Sequence, residues 1–572
     1  MNEIMQTENV QSIGAARLAD LFLAGAVNLE AGKEWINELN VFPVPDGDTG
    51  TNMTLTIKSA VAEVENLDET SRSMRDVLKA ISSGSLRGAR GNSGVILSQL
   101  LRGFGKVARD NDEINVEITA RAFERAVETA YKAVMKPKEG TILTVAKGVA
   151  DKAKELSANG VTDFDVFIPE VIAYGEEVLA KTPDMLPVLK QAGVVDSGGQ
   201  GLIEFLKGCY NGFLGKEIVP VAAEQAGAEG EASVPEVPAE PEIKYVYRTA
   251  FTIVTDKDFN KASGKSLRKY LESLGEDVVC EQTDTTVEVK LNTNDPGLAI
   301  QKGILYGDLT GLVVENRKLE KEGSAQAASA AESAPAEAPA EESSEEAEQE
   351  MPHKDIGFIT VSVGDGIEEI FRGLGVDYVI AGGQTMNPST DDILNAVNKV
   401  NADTIYILPN NKNIVMAARQ AADLTEDKKV IVMPSRTVPQ GITALFNFNP
   451  NISEESLVGA MGDAMGNVHT AMVTYAARDS EFDGHAIHAG EYLALLDGSL
   501  IGSFTNTRTL FKELSWAIDD FHPEFITIYY GEDVTEEEAV ADAETITGNF
   551  PDAEVNVVNG GQPVYYYMIS AE

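Results

Sequence analysis

Two acidic, low-complexity segments constrain this chain of 572 residues more than any other feature, because they divide it into separate folding bodies. The first, about Pro220 to Glu242, carries six Glu, and the second, about Glu322 to Glu350, carries nine Glu and neither Lys nor Arg. Chain of this composition buries too little apolar surface to offset the entropy of ordering it, so both segments are predicted linkers between three bodies that can change their relative positions. The predicted bounds are 1–219, 244–320 and 355–572 for the bodies, and 220–243 and 321–354 for the linkers.

The charge of the chain excludes several classes of partner. Asp and Glu number 91 against 46 Lys and Arg, which gives a formal net charge of −45 at pH 7. Such acidity opposes binding to nucleic acid and to anionic membranes, and the sequence holds no run of the roughly 20 apolar residues that span a bilayer. Since residues 1–11 lack the basic and apolar regions of a signal peptide, we expect a cytoplasmic protein. The two cysteines, Cys209 and Cys280, are predicted to be small buried apolar groups.

Hydrophobic periodicity predicts a fold class for each body. The first body repeats helical patterns, as at Ile13 to Leu29 and Asn115 to Met135, and is predicted to be all-α. The second follows the βαββαβ order of a small α+β domain. In the third, apolar runs alternate with helical stretches, as in a parallel α/β sheet, and the pattern from about Glu524 predicts a second lobe.

One loop before a predicted helix has the composition of a metal site. It reads NVFPVPDGDTGTNM from Asn40 to Met53 and places Asp46 and Asp48 one residue apart. Mg²⁺ prefers a few carboxylate oxygens together with substrate phosphates. The structural alternative is a plain helix cap, in which Asp48 or Thr49 bonds to a backbone N–H.

Two further loops combine glycine with a predicted helix start. The first, Gly84 to Gly94, runs into a helix expected to begin at Val95, and the second is Val195 to Leu202. Glycine lets the backbone approach a ligand, and the N–H groups of a helix start bind phosphate. Neither loop is a Walker A motif, and the Gly-Lys-Ser at 264–266 has Phe259 where that motif needs its first glycine. Alone, the last loop would indicate a capped turn, whereas three such loops in one helical body indicate a phosphate site.

Four segments of the first body resemble a known domain. PVPDGDTGTNM, GARGNSGVILSQ, KPKEGTILTV and MLPVLKQAGVVDSGGQGL are similar to the DhaL-type nucleotide-binding domain of dihydroxyacetone kinases. That resemblance implies a helical barrel that binds ATP through two magnesium ions. With its middle and C-terminal regions, which include PSRTVPQG, the whole chain resembles the A subunits of bacterial fatty acid kinases. This implies a homodimer that phosphorylates a fatty acid held by a separate DegV-like lipid carrier, giving an acyl phosphate for phospholipid synthesis.

The resemblance also implies roles for individual residues. Asp46 and Asp48 match the magnesium-binding, catalytic carboxylates, and Asn40 stands near a third metal position. The positions that match the nucleotide site are Thr49, Asn52, Asn92, Ser93 and Gly94 around the phosphates, and Thr141, Asp196, Ser197 and Gly198 on the adenine side.

The residues of the first body suit a carboxylate acceptor. A fatty carboxylate, with a pKa of about 4 to 5 by analogy with Glu, is ionised at pH 7 and attacks a γ-phosphate without a general base. The five histidines all follow the acidic run that ends at Glu350, so the first body offers no His base; they are His353, His469, His485, His488 and His522. A kinase of a small polyol such as dihydroxyacetone is the alternative enzyme.

The middle body departs from the family pattern. Many relatives carry a Cys and a His-x-His pair there, whereas the matching positions in this chain are Arg248, Lys290 and Asn292, which cannot form a zinc site. We expect a structural domain with solvent-facing Arg248 and Lys290. The alternatives are that these cations bind an anion, or that the chain is a non-catalytic, ATP-sensing adaptor.

The C-terminal region offers exposed loops rather than a metal site. His485, His488 and Glu491 fall in a Gly-containing context that indicates a loop between strands. The segments Pro434 to Gly441 and Gly382 to Thr385 indicate a protein-binding surface, to which the resemblance assigns carrier docking.

Overall fold

The computed structural model divides the chain into two compact units. One combines Met1–Glu229 with Glu348–Glu572, and the other is Gly230–Ala347. The residues described are 10–40, 47–68, 72–216, 247–255, 267–268, 271, 274–282, 286–293, 296–304, 306–316, 353–383, 386–476, 480–482 and 485–572. The two predicted linkers lie almost wholly outside these ranges, as does the Gly-Lys-Ser at 264–266. None of the helices in these ranges combines the length and apolarity that a bilayer crossing requires.

The N-terminal part of the first unit, called the helical body, confirms the all-α prediction. Its helices are α1 Ala15–Ala31, α2 Lys33–Glu38, α3 Thr49–Glu65, α4 Met74–Arg87, α5 Gly91–Ala108, α6 Val116–Ala133, α7 Ile142–Ala158, α8 Phe164–Ala180, α9 Thr182–Met185, α10 Pro187–Ala192 and α11 Ser197–Phe213. A two-residue pair, β1 Ile13–Gly14 with β2 Glu113–Ile114, accompanies them. Ser73, Asn115 and Asp163 begin α4, α6 and α8 by accepting backbone N–H groups, which explains why the helices start there.

Apolar faces of these helices form one core. Phe164 and Phe167 are almost fully buried and pack edge to face, with ring centroids 5.9 Å apart. An apolar cavity of about 190 Å³ lies inside the core and is lined by residues of α1, α5, α8 and α11. Burial raises the pKa of the Cys209 thiol, which lines this cavity, to about 12, so Cys209 stays protonated and acts as an apolar group.

The second unit contains a four-stranded antiparallel sheet. Its elements are β3 Tyr247–Thr255, β4 Gly275–Gln282, β5 Thr286–Thr293, α12 Pro296–Ile304 and β6 Gly307–Asn316, with the strands in the order β4-β5-β3-β6. The helix expected between β3 and β4 falls largely outside the described residues. Phe251, Val287 and Leu291 are buried on one face of the sheet, while Arg248 and Lys290 are exposed on the other, as expected.

The C-terminal part of the first unit begins with a four-stranded parallel sheet, which we call the parallel lobe together with its helices. Its strands are β7 Lys354–Ser362, β8 Tyr378–Ala381, β9 Ala402–Leu408 and β10 Lys429–Val432, in the order β10-β9-β7-β8. All three pairings are parallel, so this prediction is confirmed. The helices are α13 Asp365–Gly373, α14 Thr390–Lys399, α15 Val415–Leu424, α16 Val438–Phe446 and α17 Glu454–Gly466.

A six-stranded mixed sheet completes the first unit. Its elements are β11 His469–Tyr475, β14 Tyr492–Leu496, β15 Ser499–Phe504, α18 Thr507–Asp519, β16 Phe525–Tyr530, α19 Glu536–Asn549, β17 Glu554–Asn559 and β18 Tyr567–Ala571, and a hairpin of β12 Ser480–Phe482 and β13 His485–Ile487 lies outside the sheet. Strand β18 pairs with β11 as well as β16, so the boundary expected near Glu524 is corrected: strands on both sides of it share one sheet. A local pattern identifies a strand but not its partner.

The helical body packs directly against the parallel lobe. Ala89 and Val95 share an apolar cluster with Ile393 of α14 and Ala417 of α15. The expectation of three mutually mobile bodies is therefore wrong, because the first and third belong to one compact unit. Linker composition predicts where a folded body ends in the sequence, but it does not show which bodies pack against each other.

Candidate functional site

Asp48 lies directly before α3. It occupies the N-cap position, yet its side chain accepts no backbone N–H of the described helix, so the plain-cap alternative is not realised. Asp48 is 8% exposed and accepts hydrogen bonds from the side-chain amides of Asn40 (3.4 Å) and Asn387 (2.5 Å). Asp46 lies outside the described residues. Carboxylate and side-chain amide oxygens are hard ligands of the kind that Mg²⁺ prefers.

The second glycine loop is shorter than predicted. Helix α4 runs through Gly84, and α5 begins at Gly91 instead of Val95, which places Asn92, Ser93 and Gly94 in its first turn. A Cβ on Gly84 would lie 2.6 Å from the Cα of Ala60 in α3. Glycine at 84 therefore permits close packing of two helices and does not mark a loop.

Glycine at the start of α5 lets α3 approach closely. Gly91 has a φ of +58°, and a Cβ there would lie 2.5 Å from Asn52 Nδ2. A Cβ on Gly94 would lie 2.3 Å from Thr56 Oγ1. The first turns of α3 and α5 therefore lie side by side, and each directs backbone N–H groups outward from its N-terminus.

The third loop meets the first one. Asp196 caps α11 by accepting the N–H of Gly199 at 2.7 Å, and Ser197 Oγ donates to Thr49 Oγ1 at 3.2 Å. Burial raises the pKa of Asp196 to about 6, while hydrogen bonds from the backbone of Gly199 and Ile142 act in the opposite direction. Because Ile142 opens α7, Asp196 links the N-termini of α7 and α11.

The fourth predicted segment lies at the same end of the helical body. Thr141 is the N-cap residue of α7, and its hydroxyl donates to the carbonyl of Lys138 at 2.8 Å. A Cβ on Gly198 would lie 3.2 Å from the Cβ of Ile142. The described residues of all four segments thus lie around the N-termini of α3, α5, α7 and α11.

The parallel lobe adds residues that the sequence did not indicate. In a parallel sheet the loops after the strands leave at one edge, and here the loops after β8 and β9 reach the helical body. Asn387, from the first loop, donates to Asp48, and Asn413, from the second, accepts a hydrogen bond from Asn92 Nδ2 at 3.2 Å. The strand pattern in the sequence could have located these loops. It could not have shown that they contact the helical body. Of the two segments expected to dock a carrier, Pro434 to Gly441 is described in full, whereas residues 384–385 of the other lie outside the described ranges.

Arg90 holds the first of these loops in place. Its Nη1 donates to the carbonyl oxygen of Asn387 at 2.8 Å, and its Nη2 lies 3.2 Å from the carboxylate of Asp392. The N–H of Thr390 donates to the carbonyl of Ala89 at 3.1 Å. Backbone and side-chain bonds therefore join the second glycine loop to the start of α14.

A cavity of about 510 Å³ beside these contacts is lined by more basic than acidic side chains. Its basic lining residues are Arg102, Lys136, Lys412, Arg419 and Arg436, and its acidic lining residue is Asp423. In a chain with a net charge of −45, this local excess of cations favours an anionic ligand.

The remaining candidates lie elsewhere. The carboxylate of Glu491 accepts the backbone N–H of His488 at 3.1 Å, which closes a local turn, whereas His485 lies in β13 and not in the loop expected for it. In the second unit Arg248 and Asn292 are opposite each other on β3 and β5, and Asn292 is buried.

Family models match three successive segments of the chain. The DAK2 domain model matches residues 43–211. Two models of FakA-like proteins, which are similar to the A subunit of fatty acid kinase, match the two later segments. Their middle domain matches residues 244–324 and their C-terminal part matches residues 357–572. Protein YloV of Bacillus subtilis is 39% identical over 99% of this chain and 100% of its own length. Uncharacterized protein SAR1202 of Staphylococcus aureus is 37% identical over 98% of this chain and 100% of its own length.

Solved structures show weaker similarity. The dihydroxyacetone kinase from C. freundii in complex with AMP-PNP and Mg²⁺ is 15% identical, with a TM-score of 0.28 over 36% of each chain. The DegV family protein Cg2579 from Corynebacterium glutamicum is 16% identical, with a TM-score of 0.31 over 38% of this chain and 96% of that one. Because the relatives match along their full length and the three family models follow one another in order, this chain belongs to the FakA-like family, whose members are similar to the A subunit of fatty acid kinase.

Proposed function

We propose that this chain is the ATP-binding subunit of a fatty acid kinase, which transfers the γ-phosphate of ATP to the carboxylate of a fatty acid. The observation that carries the proposal is the buried carboxylate of Asp48, which caps no helix and lies among the N-termini of α3, α5, α7 and α11. A carboxylate and converging backbone N–H groups are what a magnesium-bound nucleotide requires. Family membership supports the acceptor class, since the family is named for the A subunit of fatty acid kinase.

The residues present fit a magnesium ion. Asp48 offers a hard oxygen donor that no backbone group of the described helix uses, and the side-chain oxygen of buried Asn387 has no hydrogen-bond partner among the described residues. Asp48, Asp46 and Asn40 would hold the metal, which when bound neutralises charge on the nucleotide phosphates. A second magnesium ion is part of the proposal through the family resemblance.

The nucleotide would lie across the helix starts. Thr49, Asn52 and the first turn of α5, with Asn92, Ser93 and Gly94, would bind the phosphates, and the close approach at Gly91 keeps the two turns together. Thr141 and the segment from Asp196 to Gly198 would line the adenine side. Preorganised N–H donors at such positions stabilise charge that builds up on transferring phosphoryl oxygens.

The acceptor needs no base from this chain. An ionised carboxylate attacks the γ-phosphorus, the bond to the β,γ-bridging oxygen breaks, and ADP and acyl phosphate form without a proton leaving the acceptor. This is consistent with a helical body that carries no histidine in its sequence. The fatty acid would be presented by a DegV-like carrier, and the working form would be a cytoplasmic homodimer.

The proposal is tested by following radiolabelled γ-phosphate from Mg-ATP to oleate, with and without a DegV-like carrier. We expect carrier-dependent acyl phosphate from the wild type and a loss of about a hundredfold or more in Asp48→Ala. The control is Asp151→Ala, an exposed carboxylate on α7, which should transfer normally. Transfer that survives in Asp48→Ala would contradict the metal assignment, and tight ATP binding without transfer to any carrier would favour the ATP-sensing adaptor.

A further inference from the structure

Asn387 is a residue of the parallel lobe that contacts Asp48 of the proposed site directly. It lies in the loop between β8 and α14 and is 2% exposed. Its Nδ2 donates to Asp48 Oδ2 at 2.5 Å, a short bond between an amide and a carboxylate that are 339 positions apart in the sequence. Hydrogen bonds to a charged acceptor are shorter and stronger than those between neutral groups.

The orientation of the Asn387 amide follows from its partner. Amide nitrogen and oxygen are assigned from the hydrogen bonds around them, and the reverse orientation would place two acceptors against each other at Asp48. The amide N–H therefore faces the carboxylate. The amide oxygen is buried and has no hydrogen-bond partner among the described residues. Buried polar atoms of native proteins nearly always have a partner, so this oxygen calls for a ligand.

The loop that carries Asn387 is fixed independently of its side chain. Arg90 donates to its carbonyl oxygen, and Ser389 forms an antiparallel bridge with Arg90. Ser389 also caps α14 in a capping box with Asp392. Because the backbone is held at Asn387 and directly after it, the fold directs the side chain of Asn387 at Asp48.

We propose that Asn387 is a positioning residue of the magnesium-nucleotide site. Its N–H fixes the orientation of the Asp48 carboxylate through Oδ2. Its own oxygen would accept a hydrogen bond from the ligand, such as one from a metal-bound water. The inference rests on the proposed function, because it takes Asp48 as a metal ligand. It assigns part of the ATP site to the parallel lobe, so that the site is complete only when this lobe covers the helical body.

The test measures metal binding without turnover. We would titrate the full chain with Mn²⁺ in the presence of AMP-PNP and follow free Mn²⁺ by electron paramagnetic resonance. Loss of a hydrogen bond that orients a metal-binding carboxylate weakens metal affinity about 10- to 100-fold, and we expect this for Asn387→Ala. Asn387→Leu, which keeps the side-chain volume, should weaken Mn²⁺ binding to a similar extent. It takes the place of Asn387→Ala in the test if the alanine variant does not fold.

The matched control is Gln420→Ala. Gln420 is buried between the same two parts of the molecule, donates to the carbonyl of Leu86 at 2.6 Å and accepts from Gln99 at 2.9 Å, but it does not touch Asp48. If Asn387 positions the metal ligand, Gln420→Ala binds Mn²⁺ like the wild type. If Gln420→Ala weakens Mn²⁺ binding as much as Asn387→Ala, the effect comes from loosened packing and the inference is overturned.

A kinetic measurement separates positioning from general damage. In the phosphoryl-transfer assay, Asn387→Ala should need a higher Mg²⁺ concentration for half-maximal rate and recover most of kcat at saturating Mg²⁺. Unchanged Mg²⁺ dependence would overturn the inference. A wild type that binds Mn²⁺ and nucleotide but transfers no phosphate to a fatty acid would overturn the proposed function and leave the role of Asn387 intact, whereas a wild type that binds neither would overturn both.

Discussion

The parallel sheet and the six-stranded sheet are neighbours in the chain, yet they differ in what their loops contact. In the parallel sheet every strand runs the same way, so the loops after β8 and β9 leave at one edge and bring Asn387 and Asn413 to the helical body. In the six-stranded sheet four of the five pairings are antiparallel, and successive loops leave at opposite edges. Strand direction, more than sheet size, decides which lobe can join a site. The six-stranded sheet is therefore expected to serve stability.

Removing the ring of Phe511 should have the largest effect. Phe511 of α18 is fully buried and packs edge to face on Tyr567, with ring centroids 4.9 Å apart. Phe511→Ala should lower the free energy of unfolding by about 3–5 kcal/mol, measured by denaturant titration. Binding of Mg-AMP-PNP by the folded protein should not change. The exposed Asp519→Ala on the same helix serves as the control, and weaker nucleotide binding in Phe511→Ala would break the distinction between the two sheets.

Two capping carboxylates should give opposite pH signatures. Burial raises the pKa of Asp196 to about 6, so between about pH 4 and 6 the folded state binds more protons than the unfolded state, and rising pH removes stability. Glu538 completes the capping box of α19 with the N-cap residue Thr535. Hydrogen bonds from the backbone and side chain of Thr535 lower the pKa of Glu538, so its contribution to stability is lost as pH falls below about 4.5.

The measurement is the free energy of unfolding against pH for Asp196→Asn and Glu538→Gln. As pH rises from about 4 to 6, the free energy of unfolding of Asp196→Asn should increase relative to that of the wild type by about 2–3 kcal/mol, because each unit of pKa shift is worth about 1.4 kcal/mol. Asn also caps helices, so the variant keeps the cap of α11. Glu538→Gln should be less stable than the wild type above about pH 4.5, and this difference should shrink as pH falls further. If the two variants differed from the wild type in the same way at every pH, burial of Asp196 would not destabilise the folded state as pH rises.

The smallest effect is expected at Arg90, where the parallel lobe meets the second glycine loop. Arg90→Ala removes the hydrogen bond to Asn387 and the ion pair with Asp392, and should cost about 1–2 kcal/mol of stability. It should also weaken Mg-AMP-PNP binding, less than Asn387→Ala does, because the side chain of Asn387 keeps its bond to Asp48. The control is the exposed Arg109→Ala at the end of α5. Full nucleotide affinity in Arg90→Ala would show that the Asn387 loop holds its place without this contact.

Much of the secondary structure was accessible from the sequence, and most of the long-range contacts were not. Periodicity placed α1 and α6 within a few residues, and alternating apolar runs identified the parallel strands. Glycine misled at position 84, because a loop and a close helix contact both require a residue without a side chain. The four segments around the N-termini of α3, α5, α7 and α11 could be assigned to one site because together they resemble a known domain. The contact of Asn387 with Asp48 depends on two distant parts of the chain and leaves no local pattern.

The discontinuity of the first unit also governs how the chain is made. Ala89 and Val95 share their apolar cluster with α14 and α15, which the ribosome delivers roughly 300 residues later. At about 5–20 residues per second, that interval lasts roughly 15–60 s. During this time the newly synthesised helical body has no parallel lobe to cover its glycine loops, so Asp48 faces the surroundings of the ribosome and this apolar surface is open to chaperones.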